Sequence, residues 1–294
     1  MIIGVDFGGT QIKAAAVRES EILATAVRMT PAAQGPTAVL DVIAEAVREL
    51  DGAPLAVGLA IPGEVDAAGR CWRLPNVPGF EGVAIAAELQ ARLGCPVVVD
   101  NDATAAALGE KLFGHGREYA SFAMLTLGTG IGGGLVLGSR LWSGSHGFAG
   151  ELGHIAIDRV GGPPCACGLL GCLESYAGTQ GLLRHFGEAG GKAENILEIA
   201  QAARRGETAG LSTFEALGRA LAIGVCTIQN VLDLQAFVFA GGVSASFDLF
   251  EPSLRESMQR YAFAPPLAAV PLLVSDLGNK AGVIGAAYLC SERA

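Results

Sequence analysis

One pattern occurs twice in this 294-residue chain and limits the folds open to it. Residues 2–17 have the composition of a β-hairpin, with two apolar strands joined by the turn Gly8-Gly9-Thr10. About 120 residues later, residues 122–137 repeat this order around a glycine-rich turn at 128–134. An internal repeat of this kind predicts a duplicated fold with two lobes and a central cleft.

Strand and helix patterns alternate along the rest of the chain, which places it in the α/β class. Helical spacing of apolar residues covers 36–51, 83–94, 103–113, 212–232 and 280–291. Further buried strands are expected at 55–61, 96–99 and 236–239. We expect a small N-terminal lobe at 1–115, to which the helix at 280–294 returns, and a large lobe at 116–279.

Composition and charge exclude several classes of protein. Hydrophobic residues make up 51% of the chain, which is ample for a large core. The 20 Lys and Arg residues are outnumbered by 29 Asp and Glu, and no basic cluster is visible, which argues against a nucleic-acid partner. No apolar run reaches the roughly 18–20 residues of a membrane span, and no signal-peptide pattern is visible. A cytoplasmic protein without membrane attachment is therefore expected.

Three glycine-rich turns each follow an apolar strand: Gly8-Gly9-Thr10, residues 128–134, and Gly241-Gly242. Glycine allows the backbone to approach a phosphate closely and exposes amide donors. The turns match neither the P-loop spacing nor a dinucleotide-binding fingerprint, and one such turn alone would be ordinary hairpin chemistry. Three turns together, with Asp6 ending the first strand, indicate phosphate binding. Asp6 is a candidate to hold Mg²⁺ through water, because this ion prefers oxygen ligands.

The segment Asp100-Asn101-Asp102-Ala103 lies between a buried strand and the start of a helix. Two interpretations of Asp102 remain open from the local sequence. The first makes it the residue that caps the helix. The second makes it a general base that takes the proton from an attacking hydroxyl.

One His and three Cys lie within nineteen residues: His154, Cys165, Cys167 and Cys172. This set predicts a closed, tetrahedral Cys₃His zinc site of the structural kind. Glu151 and Glu174 flank these residues. They are interpreted either as groups that support the ligands or as acceptors for the hydroxyls of a sugar.

Together these motifs resemble the ROK family of repressors, open reading frames and kinases. The resemblance rests on residues 4–10, 100–103, 128–134, 150–174 and 240–243, and it extends from residue 3 to about residue 289. It implies the actin-like ATPase fold, which is ribonuclease H-like, with ATP, Mg²⁺ and a structural Zn²⁺ as cofactors. It also implies that Asp102 is the base and that the protein forms a homodimer.

The resemblance further assigns candidate binding residues. The implied sugar contacts are Gly63, Asn76, Asn101, Asp102, Glu151, His154 and Glu174. The implied contacts to ATP are Asp6, Gly8, Gly9, Thr10, Lys13, Thr129, Gly130, Gly132, Gly133 and Gly134, with Gly241 and Gly242 beside the adenosine. Because the ATP turns lie elsewhere in the chain, we expect loss of zinc to impair sugar binding more than ATP binding.

The leading functional hypothesis is an ATP-dependent hexose 6-kinase, with glucose as the first candidate substrate. N-acetylglucosamine, N-acetylmannosamine, allose and fructose remain open, since hydroxyl orientation is recognised by geometry that a sequence does not fix. A sugar-responsive repressor of the same family would carry a helix-turn-helix domain ahead of the first glycine turn, which here begins at residue 8. A non-sugar ATPase or a zinc-stabilised scaffold is the third alternative.

Overall fold

The computed structural model describes residues 1–75 and 77–292. The strands within this part of the chain are β1 (Ile2–Phe7), β2 (Gln11–Arg18), β3 (Glu21–Met29), β4 (Ala56–Ile61), β5 (Glu64–Val65), β6 (Cys71–Arg73), β7 (Val97–Asn101), β8 (Phe122–Leu127), β9 (Ile131–Leu137), β10 (Arg140–Leu141), β11 (Ala236–Ala240) and β12 (Leu272–Val274). The α-helices are α1 (Pro36–Leu50), α2 (Ile85–Leu93), α3 (Asp102–Phe113), α4 (Leu173–Ala177), α5 (Thr179–Glu188), α6 (Ile196–Arg204), α7 (Thr208–Leu232), α8 (Phe247–Tyr261), α9 (Pro265–Ala268) and α10 (Ala281–Glu292).

Two five-stranded sheets of the described chain have the same construction. The first has the order β3-β2-β1-β4-β7 and the second the order β10-β9-β8-β11-β12. In the first sheet, β1 pairs antiparallel with β2 and parallel with β4, which in turn is parallel to β7. In the second, β11 is parallel to both β8 and β12. The repeated hairpin of the sequence therefore begins each half of a duplicated α/β fold, as predicted.

The chain divides into two compact units. The first unit comprises Met1–Ser121, Gly134–Gly150 and the segment from Ser275 onward, and the second comprises Phe122–Gly133 and Glu151–Val274. The segment Gly134–Gly150 groups with the first unit, which the linear pattern did not indicate.

Within the first unit, helix α10 packs closely on the sheet and on α3 because glycines remove the intervening side chains. A Cβ atom built on Gly58 of β4 would lie 1.6 Å from the carbonyl oxygen of Ala286. One built on Gly285 would lie 1.7 Å from the carbonyl oxygen of Ala105. No side chain fits at such distances, so α10 holds α3 and the sheet together through backbone contact. This packing fixes the position of the N-terminus of α3.

Within the second unit, the interior strand β11 is fully buried and α7 packs against α8. Gly218 of α7 lies against α8, where an added Cβ atom would be 2.5 Å from the carbonyl oxygen of Phe250. Among the described residues, α7 is the one helix whose length and composition would allow it to cross a membrane. About three fifths of its most apolar stretch, 61%, is buried, as in a core helix.

Local features also differ from the sequence-based expectation. The second glycine-rich turn is shorter than predicted, since β9 begins at Ile131 and residues 131–134 belong to the strand. Strand β3 was not predicted. It is an edge strand whose side chains are mostly exposed, so it lacks the apolar alternation that identifies a half-buried strand.

Candidate active site and metal centre

The carboxyl ends of three parallel strands bring acidic and amide side chains together in the first unit. Asp6 on β1 lies opposite Ala60 on β4, and Ala60 lies opposite Asp100 on β7. One residue further along, Ile61 is paired with Asn101. This edge is where open α/β sheets bind their ligands.

Asn101, and not Asp102, caps helix α3. The side-chain oxygen of Asn101 accepts hydrogen bonds from the amides of Ala103 at 2.9 Å and Thr104 at 3.3 Å. Its Nδ2 donates to the carbonyl oxygen of Gly63 at 3.2 Å. The interpretation of Asp102 as the cap is therefore wrong: this residue begins the helix, one position after the cap.

The surroundings of Asp102 raise the pKa of its carboxyl group. Burial, and secondarily the negative charge of Asp6, raise the pKa of Asp102 to about 6, although a hydrogen bond from the Ala103 amide to Oδ1 at 2.7 Å opposes this rise. Burial also raises the pKa of Asp6, while the charge of Lys13, its cross-strand neighbour, lowers it. A base whose pKa lies just below neutral pH is ionised there and still takes a proton readily.

Gly63 follows β4 at the same edge of the sheet and leaves no room for a side chain. A Cβ atom there would lie 2.4 Å from the carbonyl oxygen of Arg73. Next to it, Arg73 forms a two-point ion pair with Glu64, at 3.0 and 2.5 Å, which joins β5 to β6. Sequence reasoning missed this pair, whose only signal is an acid and a base at the two ends of a short hairpin. Asn76, the other sugar contact expected on this lobe, lies outside the described residues.

The first glycine turn is held by its own backbone and by Thr30, the residue that follows β3. The amide of Gly8 donates to the carbonyl oxygen of Gln11 at 2.9 Å, and the hydroxyl of Thr30 donates to the carbonyl oxygen of Gly8 at 2.7 Å. The neighbouring Gly9 and Thr10 complete the turn directly after β1. The turn therefore lies close in sequence to Asp6 and Lys13, which face each other across β1 and β2.

In the second unit, the two other glycine turns lie next to each other. Strand β8 runs parallel to β11 with Thr126 opposite Ala240, so the turns that follow both strands meet at the same edge of the sheet. Gly241 has φ +85°, and a Cβ atom there would lie 2.3 Å from the carbonyl oxygen of Leu127. Thr129 and Gly130 lie in the turn itself.

The remaining glycines of the predicted nucleotide-binding set have other positions. Gly132, Gly133 and Gly134 lie within β9, and Gly134 belongs to the first unit. A Cβ atom on Gly134 would lie 2.5 Å from the Cβ atom of Ala107, so this glycine allows α3 to pack on β9.

The predicted zinc ligands form a cluster within the second unit. The ligand atoms of His154, Cys165, Cys167 and Cys172 all lie within 4.8 Å of one another. Sγ of Cys167 and Cys172 are 3.7 Å apart, and Cys165 Sγ is 3.6 Å from Nδ1 of His154. A tetrahedron with zinc–sulfur bonds of about 2.3 Å and a zinc–nitrogen bond of about 2.0 Å has edges of about 3.8 and 3.5 Å. The donor set and its spacing therefore fit a tetrahedral metal ion.

The two glutamates that flank the cluster have different surroundings. Nε2 of His154, the ring nitrogen opposite the cysteines, lies 3.8 Å from a carboxylate oxygen of Glu151. Glu174 instead accepts a hydrogen bond from the backbone amide of Ile131 at 2.9 Å, and its other oxygen is 3.6 Å from Cys165 Sγ. Glu174 thus connects the cysteine cluster to the second glycine turn, a contact that the sequence did not indicate.

Comparison with known proteins identifies the family of this chain. The family model of the ROK family matches residues 2–293. The chain belongs to the ROK family. This membership covers every motif on which the sequence resemblance was based.

Several relatives of this ROK protein have been named for their activities. A glucokinase of Streptomyces coelicolor is 35% identical over 99% of this chain and 98% of its own. An N-acetyl-D-glucosamine kinase of Vibrio cholerae is 31% identical over 98% of this chain and 99% of its own. The crystal structure of a ROK family glucokinase from Streptomyces griseus in complex with glucose and AMPPNP is 34% identical, with a TM-score of 0.82 over 98% of both chains. The predicted actin-like ATPase fold is confirmed.

Proposed function

We propose that this ROK protein transfers the γ-phosphoryl group of ATP to the 6-hydroxyl of a hexose, and that glucose is its leading substrate. The single observation that carries the proposal is Asp102, a carboxylate with a pKa of about 6 at the first position of α3. The similarity to named glucokinases over the full chain supports the choice of sugar.

In the proposed reaction, the 6-hydroxyl oxygen of the sugar attacks the γ-phosphorus of ATP. The bond from that phosphorus to the β,γ-bridging oxygen breaks, ADP leaves, and the hydroxyl proton passes to the carboxylate of Asp102. A positioned base of this kind contributes about 10²–10⁴-fold to the rate, and positioning and charge stabilisation supply much of the rest. Asn101 supports Asp102, since its side chain caps α3 and reaches Gly63.

The two glycine turns next to β8 and β11 are proposed to hold ATP. The backbone amides of Thr129 and Gly130 would bind the phosphates, and Gly241 and Gly242 would border the adenosine. The first turn, Gly8 to Thr10, adds further amides, as glycine turns do at phosphate sites. Asp6 is assigned to Mg²⁺ through water, because this ion prefers carboxylate oxygens and the carboxylate of Asp102 adds negative charge nearby.

The cysteine cluster is proposed to bind a structural zinc ion. Its support is the donor set and the spacing of the four ligand atoms, which all come from protein side chains. Bound zinc would supply a cross-link between residue 154 and the loop at 165–172. His154 would hold the metal through Nδ1, which lies 3.6 Å from Cys165 Sγ, while its Nε2 lies 3.8 Å from a carboxylate oxygen of Glu151. Both His154 and Glu151 are proposed to receive sugar hydroxyls.

The alternative substrate is N-acetylglucosamine, because an N-acetyl-D-glucosamine kinase matches this chain nearly as well as the glucokinases do. Both substrates place a primary hydroxyl at carbon 6, so Asp102 would have the same role in either reaction. The difference lies in the group at carbon 2.

The direct experiment is incubation of the protein with Mg-ATP and a panel of sugars, with detection of the sugar phosphate. We expect the highest kcat/KM for glucose among glucose, N-acetylglucosamine, N-acetylmannosamine, allose and fructose. 6-Deoxyglucose is the matched control, since it keeps the ring and lacks the attacked hydroxyl. Turnover of 6-deoxyglucose, or turnover of no sugar in the panel, would overturn the proposal.

The remaining family-based expectations are proposals of the same kind. We infer a cytoplasmic homodimer that uses only small molecules as substrates and contacts neither nucleic acid nor membrane. The net charge of −9 supports the absence of a nucleic-acid partner. Light scattering during size-exclusion chromatography measures the oligomeric state, and a monomer at working concentration would contradict the inference.

A further inference from the structure

The second glycine turn, residues 128–130, is hydrogen-bonded at both ends by the segment 174–179, which follows the cysteine cluster. The carboxylate of Glu174 accepts from the amide of Ile131 at 2.9 Å. Thr179 donates twice to the carbonyl oxygen of Gly128, from its amide at 3.0 Å and from its hydroxyl at 2.9 Å. Three hydrogen bonds therefore fix both ends of a turn that spans only three residues.

Glycines in the turn and in the segment 174–179 leave room for these contacts. A Cβ atom on Gly130 would lie 2.3 Å from Oε2 of Glu174, so the carboxylate occupies the space that a side chain would need. A Cβ atom on Gly178 would lie 3.0 Å from the carbonyl oxygen of Thr129. Glycine on each side thus allows the segment and the turn to approach closely.

The segment 174–179 follows closely on Cys172, the last residue of the cysteine cluster. Cys172 is the N-terminal cap position of α4, and Glu174 lies two residues later in the first turn of that helix. The amide of Thr179 begins α5 directly after Gly178, whose own amide donates to the carbonyl oxygen of Glu174 at 2.8 Å. The chain therefore leads directly from Cys172 to Glu174 and Thr179, and hydrogen bonds connect these two residues to the glycine turn.

We propose that Glu174 and Thr179 are positioning residues for the phosphate-binding turn, and that the metal held by His154 and the three cysteines sets the affinity for ATP through them. The inference rests on the proposed function, in which Thr129 and Gly130 hold the phosphates of ATP. A turn whose amides are already oriented loses less conformational freedom when phosphate binds. Loosening α4 at Cys172 removes that preorganisation.

The sequence led us to expect that zinc loss would impair ATP binding less than sugar binding, because the cysteines and the glycine turns lie apart along the chain. In the folded chain, Glu174 contacts both regions.

The test measures binding of Mg-AMPPNP by calorimetry without sugar, so that sugar contacts do not contribute. Thr179→Val keeps the side-chain shape and the backbone donor but removes the hydroxyl. One net hydrogen bond corresponds to a roughly 2- to 10-fold weaker Kd. Thr227→Val is the matched control, because the Thr227 hydroxyl donates to a carbonyl oxygen within α7, away from the turn. We expect its Kd to equal that of the wild type.

Glu174 provides a second, rescuable arm. Glu174→Ala removes the acceptor for the Ile131 amide and should weaken AMPPNP binding, whereas Glu174→Gln keeps an acceptor oxygen and should restore most of it. Melting temperatures of all variants separate a local effect on the turn from general destabilisation. A purely structural role would lower the melting temperature and leave the Kd unchanged.

The metal link is tested on Cys167→Ser, with zinc content measured on the same sample. A zinc-depleted variant that remains folded should bind AMPPNP several-fold more weakly than the wild type. AMPPNP affinity at the wild-type level in Thr179→Val, Glu174→Ala and Cys167→Ser would overturn the inference and leave the kinase proposal intact. A wild-type protein that binds no AMPPNP and phosphorylates no hexose would overturn the proposed function and this inference with it.

Discussion

The two sheets share one strand order but carry different chemistry at equivalent positions. Moving 120 residues along the chain takes Asp6 to Thr126 and Lys13 to Gly133, so the charged cross-strand pair of the first hairpin has neutral counterparts in the second. The first sheet edge then adds Asp100 from β7, two strands from β1, beside the glycine turn that follows β1. The second edge has two glycine turns, one after β8 and one after β11.

In the proposed function, the two sheet edges have different roles in phosphoryl transfer. Carboxylates close together raise one another's pKa, as Asp6 does for Asp102, which suits a base and a cation site. Bare carboxylates repel the phosphates of ATP, so Asp6 is proposed to meet them through Mg²⁺. The turns of the second sheet are proposed to hold phosphates through their backbone amides.

The largest expected effect separates the acidic edge of the first sheet from the glycine turns of the second. Asp102→Asn keeps the size of the side chain but cannot take a proton, so kcat should fall about 10²–10⁴-fold with sugar affinity changed much less. In the wild type, kcat/KM should decline as the pH falls through about 6, where Asp102 becomes protonated. Steady-state kinetics across pH measure both effects. A variant with near wild-type turnover would remove the chemical distinction between the two edges.

The next effect concerns the cysteine cluster, which has no counterpart in the first unit among the described residues. Cys167→Ser should lose about one zinc per chain, melt at a lower temperature and show a raised KM for sugar, because metal binding adds to folding stability. Cys290→Ser, in the first unit, is the control and should retain its metal. Elemental analysis measures the zinc content, and thermal melting measures the change in stability. Wild-type protein that contains no zinc would contradict the structural role.

A smaller effect tests two neighbouring glycines of one turn. Gly130→Ala forces a methyl group toward the Glu174 carboxylate, whereas Gly128→Ala points into open space. We expect KM for ATP to rise several-fold in the first variant and to change little in the second. Equal effects would show that turn flexibility, and not the contact with Glu174, determines nucleotide binding.

The smallest effect is on stability and follows from the raised pKa of Asp102. A carboxyl group whose pKa is higher in the folded state stabilises the fold fully below its unfolded pKa, near 4, and that contribution is lost as the pH rises to about 6. Asp102→Asn should therefore be more stable than the wild type above pH 6, by on the order of 2 kcal/mol, with the gain vanishing near pH 4. Thermal melts at pH 4.5 and 8 measure this difference.

Asp51→Asn gives the opposite sign and serves as the control. The Ala53 amide and the N-terminal ammonium, 3.2 Å away, hold the pKa of Asp51 below its usual value. The wild-type carboxylate therefore stabilises the fold at neutral pH, and this contribution is lost as the pH falls through its lowered pKa. A stability gain in this variant at pH 8 would show that the sign of these shifts is misassigned.

Much of the fold was accessible from local patterns. The two hairpins and the helices at 36–51 and 212–232 were predicted within a few residues of α1 and α7, because long apolar periodicity identifies core elements. Strand β3 was missed because an exposed edge strand has no such periodicity. The end of the second turn was misplaced because glycines 132–134 pair within β9, where pairing with another strand overrides their local preference.

The sequence by itself determined the α/β class, the repeat, the family and the residue types of the candidate site. Spacing along the chain was enough to identify them. In the segment from Cys165 to Cys172, for example, the cysteines are so close in sequence that their sulfur atoms can reach a single ion. Only the tertiary structure decided that Asn101 caps α3, that Arg73 and Glu64 pair beside Gly63, and that Glu174 reaches the turn at Ile131. These contacts depend on directions in which side chains leave their helices and strands, and packing of distant segments sets those directions.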